Sequence, residues 1–244
     1  MNWDKTEIKH LIWQLKKQNM AEVINLRKGD KVAVGFTNIT VGLGWEPNEG
    51  TGEKFDLDVS AIMIDENRKT NKDFFIFYGN LCGRRISTNN NETHKGYENG
   101  SKDCDKEGCK DGLYGVMHTG DDPDGESSDG GDDESIIIDL TKVPANIQEI
   151  LFVVTIDSAA EKKQNFGQVR DSYIRLEDNN TGKEVMKYEL GEDFSIETGI
   201  EFGRLYRRNN EWKFDASGIG YKEDLAFFLN KYFTGTILGK NKST

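Results

Sequence analysis

The chain is poor in the features that mark secreted and membrane proteins. Its 244 residues include three prolines and three cysteines. An odd number of cysteines does not predict a disulfide framework. The charged N-terminal segment lacks the apolar stretch and small-residue cleavage site of a signal peptide, and no apolar run is long enough to cross a bilayer. We therefore expect a cytoplasmic protein.

The chain also lacks an excess of basic charge. It has 32 Lys and Arg residues against 43 Asp and Glu residues, and its formal net charge at pH 7 is -11. Because a phosphate backbone is bound by basic surface, we expect no nucleic-acid partner. The 26 glycines predict many tight turns rather than disorder. The length is sufficient for one large β domain with a substantial core.

Short β-branched and aromatic runs, separated by Gly, Asn and Asp, follow one another from residue 31 onward. This pattern is typical of an antiparallel β-sandwich, so the predicted fold class is mainly β with two packed sheets. Ten strands are predicted, at residues 31–36, 39–44, 55–64, 73–78, 135–140, 150–156, 169–177, 184–190, 199–208 and 211–216. The proline that opens the segment 143–150 suggests a single helical turn there.

Two segments have the apolar spacing of helices. Residues 6–20 predict an N-terminal amphipathic helix, and residues 222–233 predict a C-terminal helix packed on the sandwich. Residues 81–114 are polar, contain all three cysteines and lack any strong period, which indicates an insertion between strands. The predicted organisation is an N-terminal helical extension at 1–24, a β-sandwich domain at 25–233 that includes this insertion, and a tail at 234–244.

The most unusual segment is the acidic loop, residues 118–135, which reads HTGDDPDGESSDGGDDES. It holds eight carboxylates and four glycines but neither Lys nor Arg. Carboxylates this close repel one another, and Ca²⁺ would compensate them because it accepts six to eight oxygen ligands in a flexible shell. A solvated acidic loop is the simpler alternative.

The acidic loop does not match an EF-hand. If Gly125 held the invariant sixth position, the first and twelfth positions would be Gly120 and Gly131; if Gly130 held it, they would be Gly125 and Ile136. Neither register supplies the required ligands. A calcium site would therefore combine the loop with another segment.

The strand predicted at residues 55–64 is a candidate for that second segment. Alternation along the strand places Phe55, Leu57 and Val59 on one face and Asp56 and Asp58 on the other. Two carboxylates on one face, about 7 Å apart, need a cation or hydrogen-bond donors nearby. The solvated outer face of an edge strand is the alternative.

Several motifs resemble one known family. They are TVGLGWE (40–46), KFDLDVSAIMIDEN (54–67), MHTGDD (117–122), GDDESIIIDLTKVP (131–144), QNFGQVRDSYIRL (164–176), ETGIEFGRLYRRNNEWKF (197–214) and GIGY (218–221). Their order is similar to that in the TerD family of tellurium-resistance and stress-response proteins.

This resemblance implies a cytoplasmic β-sandwich that binds calcium, with two ions expected, and that has no known catalytic chemistry. The metal ligands it implies are Asp56, Asp58, Asp121, Asp122, Glu126, Asp132, Asp133 and Glu134. The loop is about two residues longer than the family pattern, so its middle carboxylates, Asp124 and Asp129, are not assigned. The helical extension and the insertion inherit no function.

The insertion offers two weaker metal hypotheses. Residues 103–111 resemble part of a calcium loop, but Tyr114 stands where the bidentate Glu belongs. The three cysteines with His94 are zinc-type ligands, although their spacing is no recognised zinc pattern. His118 adjoins the acidic loop and is expected to be structural.

The predicted function is that of a non-enzymatic calcium-binding stress-response protein, in which the ions order the acidic loop and a partner-recognition surface. Other proteins of a stress-response complex are the expected partners. Calcium-dependent docking on a membrane surface is the first alternative. Metal-dependent phosphoester hydrolysis is the second, although the sequence has no motif for nucleophilic catalysis or phosphate binding.

Overall fold

The computed structural model describes residues 23–46, 52–82, 114–125, 131–190 and 194–233. The predicted N-terminal helix, the C-terminal tail, Glu126 and nearly all of the insertion lie outside these residues. Among the described residues, no helix is long and apolar enough to span a membrane.

The described chain forms two sheets, whose strands we number in chain order. The first sheet contains, from edge to edge, β1 (Ile24–Asn25), β10 (Lys183–Glu189), β9 (Arg170–Asp178), β3 (Asn38–Glu46), β7 (Glu134–Asp139) and β6 (Val116–His118). The second contains β2 (Lys31–Ala33), β12 (Glu211–Asp215), β11 (Gly199–Arg208), β8 (Ile147–Ile156), β4 (Leu57–Asp65) and β5 (Phe75–Ile76), and β13 (Ile219–Tyr221) also pairs with β11. All neighbours are antiparallel except β1 and β10.

The predicted two-sheet β architecture is confirmed. All ten predicted strands are present, and three short strands, β1, β6 and β13, were not predicted. The helical turn expected at 143–150 is limited to one hydrogen-bonded turn, in which the N–H of Ile147 donates to the carbonyl oxygen of Pro144 at 3.0 Å, because β8 already begins at Ile147. Ile147 and Ile150 are fully buried and pair with β4, and this burial outweighs the local effect of Pro144.

The main core lies between the sheets and contains alternate residues of the long strands. In β4, Leu57, Val59, Ala61 and Met63 belong to this core. The intervening residues of β4 point to the outer face of the second sheet, as the period of two requires. Asp58 is therefore carried on the outside of the sandwich.

A second apolar cluster covers part of that outer face. The helix α2 (Leu225–Tyr232) packs Phe228 and Tyr232 against Ile62 and Val153, which confirms the predicted C-terminal packed helix. The helix begins after Asp224, whose side chain accepts a hydrogen bond from the backbone N–H of Phe227 at 3.1 Å. A short helix, α1 (Ala159–Lys162), and a 3₁₀ turn (Phe166–Gln168) follow β8.

Candidate metal centre

Three carboxylates meet where β4 begins and the acidic loop leaves β6. Asp56, Asp58 and Asp121 each place one oxygen within 4.8 Å of the other two. We call these three residues the aspartate cluster. The sequence predicted that Asp56 and Asp58 would share a face and that the loop would join them, and the structure brings these three predicted ligands together.

Asp58 is the most enclosed member of the aspartate cluster. It is 4% exposed, and its side chain has no hydrogen bond or ion pair with any residue that the structure describes. It lies opposite Thr155 of β8, which is also buried. A buried carboxylate without a donor or a cation is costly, because desolvation disfavours its charged form.

The electrostatics of the aspartate cluster reflect this burial. Desolvation, reinforced by Glu134 and Asp56, raises the pKa of Asp58 to about 9. Desolvation and the nearby Asp121 raise the pKa of Asp56 to about 7. The pKa of Asp121 is also raised, chiefly by partial desolvation of a carboxylate that is still exposed to water. The protein alone therefore favours the protonated form of Asp58 near neutral pH, and a bound cation would favour its ionised form.

The residues of the cluster fit a hard metal ion. All three ligand side chains are carboxylates, and Oδ1 of Asp56 is buried without a hydrogen-bond partner among the described residues. An unsatisfied buried acceptor beside two other carboxylates is the arrangement that an oxygen-ligated cation requires.

Glu134 and His118 hold the backbone beside the cluster through hydrogen bonds with Val59 and with the start of the acidic loop. One oxygen of Glu134 accepts the backbone N–H of Val59 at 2.7 Å, and the other accepts that of Asp122 at 3.4 Å. His118 Nε2 lies 3.1 Å from the carbonyl oxygen of Val59, and its Nδ1 accepts a hydrogen bond from the N–H of Gly120 at 3.0 Å. Burial lowers the pKa of His118 to about 4, so the ring is neutral and donates from Nε2. His118 thus has the structural role expected from the sequence.

Asp133 anchors the loop to β3. Its Oδ2 accepts the backbone N–H of Trp45 at 2.8 Å. The Trp45 ring in turn packs on Gly125, where a Cβ atom would lie 2.7 Å from the indole Nε1. Gly125 has φ of +67°, a conformation that favours glycine. The acidic loop therefore closes over Trp45.

Asp132 lies outside the aspartate cluster. Its carboxylate receives two hydrogen bonds from the Arg175 guanidinium, at 2.7 and 2.9 Å, and one from the Tyr173 hydroxyl at 3.2 Å. It lies over Gly42, where a Cβ atom would come within 1.9 Å of Oδ2. A bidentate arginine compensates this carboxylate, so it does not need a metal.

The predicted ligands thus fall into two groups. Asp56, Asp58 and Asp121 converge, whereas Asp122, Asp132, Asp133 and Glu134 form no group of three ligating side chains with them in the described chain. Asp122 is nevertheless buried next to the cluster and contributes to the raised pKa of Asp56 and of Asp121. Glu126 lies outside the described residues, so its assignment stays a prediction.

Comparison with known proteins places this arrangement in a family. The TerD domain matches residues 22–110 and 108–232, which together cover most of the chain. The chain belongs to the TerD family. Asp56 and Asp58 lie in the first matched segment and Asp121 lies in the second, so both segments contribute to the aspartate cluster.

Individual TerD relatives are similar over nearly their whole length. The tellurium resistance protein TerD of Serratia marcescens is 40% identical over 215 residues, which cover 86% of this chain and 96% of the relative. General stress protein 16U of Bacillus subtilis is 40% identical over 216 residues, with the same coverage of both chains.

Two solved structures share the fold. A homologue of telluride resistance protein (TerD) from Streptomyces coelicolor A3(2) has a TM-score of 0.57, with 14% sequence identity and coverage of 80% of this chain and 95% of that chain. A protein of unknown function, SAV2460, has a TM-score of 0.58, with 17% identity and the same coverage.

Two residues near the cluster were not identified from the sequence of this TerD protein. Tyr78 and Asp157 both interact electrostatically with Asp56, Asp58 and Asp121. Tyr78 ends the predicted strand 73–78, and Asp157 directly follows the predicted strand 150–156. The sequence signal for both residues is their position, because each is a polar residue at the end of a predicted strand.

Proposed function

We propose that this chain is a calcium-binding protein of the tellurium-resistance and stress-response type, whose ion is held by Asp56, Asp58 and Asp121. The observation that carries the proposal is the buried, unpaired Asp58 carboxylate within 4.8 Å of two further carboxylate oxygens. The names of the relatives in Serratia and Bacillus support the physiological setting.

The donor set favours calcium over other divalent ions. The three ligand side chains are carboxylates, whereas structural zinc sites use Cys and His. Magnesium demands near-ideal octahedral geometry and retains its waters, but calcium accepts mixed carboxylate, carbonyl and water ligands. Calcium also suits the exposed position of Asp121, because water can complete its ligand shell there.

The ion would act as an electrostatic tie between strand and loop. It would join Asp56 and Asp58 near the start of β4 to Asp121, and so hold the beginning of the acidic loop against the sandwich. The loop is also fixed through Glu134 to Val59 and through Asp133 to Trp45. Such a tie produces an ordered surface for a partner protein and involves no catalytic step. We place this function in the cytoplasm.

One ion accounts for the aspartate cluster. The second ion expected from the sequence stays a prediction, because Asp132 is paired with Arg175 and Glu126 lies outside the described residues. A stoichiometry above one would indicate that other acidic-loop carboxylates form that second site.

Thermal unfolding tests the proposal. The protein is freed of metal with a chelator and then melted in calcium, in magnesium and in chelator alone. We expect calcium to raise the melting temperature, because a ligand at a hundredfold excess over its dissociation constant contributes about 2.7 kcal/mol. A transition that is the same in calcium and in chelator would contradict a structural calcium site.

A further inference from the structure

A cleft of about 620 Å³ opens beside the aspartate cluster. One side of the cleft is formed by the end of β8 and by α1. The other side is formed by the start of α2. Asp58 lines this cleft as well as belonging to the cluster, so the cleft and the cluster are adjacent. The volume is within the range of protein sites that take a small ligand, so the cleft has room for a side chain of a partner protein.

The inner wall of the cleft is apolar. Phe77, Leu225 and Leu229 line it and also pack against the second apolar cluster under α2. Tyr78 lies next to Phe77, with ring centroids 5.2 Å apart. An occupant with an aliphatic stem would cover this wall and gain hydrophobic stabilisation.

The rim of the cleft is acidic on both sides. Asp157 and Glu161 line the side after β8, and Glu223 and Asp224 line the side before α2. Asp157 lies 3.7 Å from Lys162 and Asp224 caps α2. The carboxylates of Glu161 and Glu223, in contrast, have no hydrogen bond or ion pair with any residue in the described part of the chain.

Among the described residues that line the cleft, Lys222 is the one cation, and it does not neutralise this rim. Lys222 also acts on Glu197, which is outside the cleft, and helps to lower the pKa of that residue. A divalent ion bound at the aspartate cluster would leave one of its three charges uncompensated, and the four rim carboxylates outnumber Lys222 and the neighbouring Lys162, which lies 3.7 Å from Asp157. An anionic occupant would therefore be repelled, and a cationic one attracted.

We infer that this cleft receives a lysine or arginine side chain of a partner protein. The aliphatic stem would lie on the wall formed by Phe77, Leu225 and Leu229, and the cationic head would lie between Glu161 and Glu223. This inference rests on the proposed function, since calcium is taken to occupy the cluster and leave the rim for the organic cation. It specifies that the partner protein recognised by the ordered surface presents a basic side chain.

Peptide binding at low ionic strength in saturating calcium tests the inference. The probe is a labelled, end-blocked peptide of alternating alanine and lysine, and the matched probe replaces lysine with norleucine, which keeps the stem but removes the charge. Free spermidine is the third probe. The variants are E161Q combined with E223Q, and, as the control, E66Q combined with E211Q at the opposite end of the sandwich. Calcium titration of each variant checks that the metal site is unchanged.

We expect the lysine peptide to bind, the norleucine peptide to bind at least tenfold more weakly, and the rim variant to lose about tenfold in affinity for the lysine peptide. The control variant should bind as the parent does. Equal binding of the two peptides, an unchanged affinity of the rim variant, or spermidine binding as tightly as the peptide would overturn the inference while calcium binding persists. Absence of calcium binding by the parent protein would instead contradict the proposed function on which it rests.

Discussion

The carboxylate of Glu134 accepts the backbone N–H of Val59 across the sandwich, at 2.7 Å. Glu134 begins β7 of the first sheet, and Val59 directly follows Asp58 in β4 of the second. This hydrogen bond joins the end of the acidic loop to the strand that carries the aspartate cluster. The geometry of the cluster is therefore coupled to the packing of the two sheets.

Replacement of Asp58 by asparagine should affect stability in opposite directions with and without calcium. In metal-free protein near pH 8, D58N should raise the free energy of unfolding by about 1 kcal/mol or more, because the neutral amide needs no proton, whereas Asp58 must take up a proton on folding at a pH far above its usual pKa. In excess calcium, the variant should lose the stabilisation that the parent gains. Urea unfolding in calcium and in chelator measures both effects.

The matched control is D171N, which removes an exposed carboxylate of β9. Asp171 has φ of 46°, and asparagine tolerates this conformation. The control should respond to calcium as the parent does. If D58N is stabilised by calcium to the same extent as D171N, Asp58 does not hold the ion.

The pH dependence of metal-free stability should follow the raised pKa of Asp58. Its carboxyl titrates near the usual value of 3.8 when unfolded and at about 9 when folded. Between these values the folded state binds more protons, so its stability falls as pH rises, by up to about 1.4 kcal/mol per pH unit for each proton. Asp56, with a pKa of about 7, adds to the fall over the lower part of this range.

The window from pH 7.5 to pH 8.5 isolates this effect. His118 has a folded pKa of about 4 and a usual value of 6.5, so from pH 7.5 upward it is almost wholly neutral in both states. Chemical unfolding in chelator should show lower stability at pH 8.5, and saturating calcium should reduce the difference. A metal-free stability that rises across this window would mean that the cluster carboxyls are not protonated in the folded protein.

Trp45 should report closure of the acidic loop. The indole packs on Gly125, and the backbone N–H of Trp45 donates to Asp133. Calcium should therefore change the tryptophan emission of the parent, and W45F should abolish the change. W212F is the control, because Trp212 lies in β12 and stacks under Arg207, 4.4 Å from its guanidinium carbon. A calcium response that survives W45F but is lost in W212F would contradict loop closure over Trp45.

Asp132 should contribute to stability rather than to calcium affinity. D132N removes a part-buried bidentate pair with Arg175 and should lower the free energy of unfolding by about 1 to 3 kcal/mol. Its effect on the calcium dissociation constant should stay within about threefold, because the lost charge acts only at a distance. Unfolding and calcium titration of the same variant separate the two effects, and loss of calcium binding would make Asp132 a ligand.

The sheets and half of the candidate site were predictable because they depend on local alternation. The pattern of Leu57, Asp58 and Val59 assigns each side chain to a face whatever the neighbouring strands are. The apolar spacing that predicts a helix over residues 222–233 is also a local pattern. These predictions needed no knowledge of which strands become neighbours.

The remaining features depend on pairings distant in sequence. Asp132 and Asp133 are adjacent in the chain, but one meets Arg175 from β9 and the other meets the backbone of Trp45 in β3. Asp157 reaches the cluster because β8 lies beside β4. The density of acidic residues in the sequence could not distinguish a carboxylate without a cationic partner, such as Asp58, from one that is paired with an arginine, such as Asp132.

Calcium titration calorimetry on the metal-free protein, with D58N measured in parallel, shows whether the aspartate cluster holds calcium. We expect saturable binding of at least one calcium ion per chain by the parent, and loss of that site in D58N. Absence of binding heat at every buffer and temperature tested, or the same isotherm for the parent and D58N, would contradict a calcium site built on the aspartate cluster.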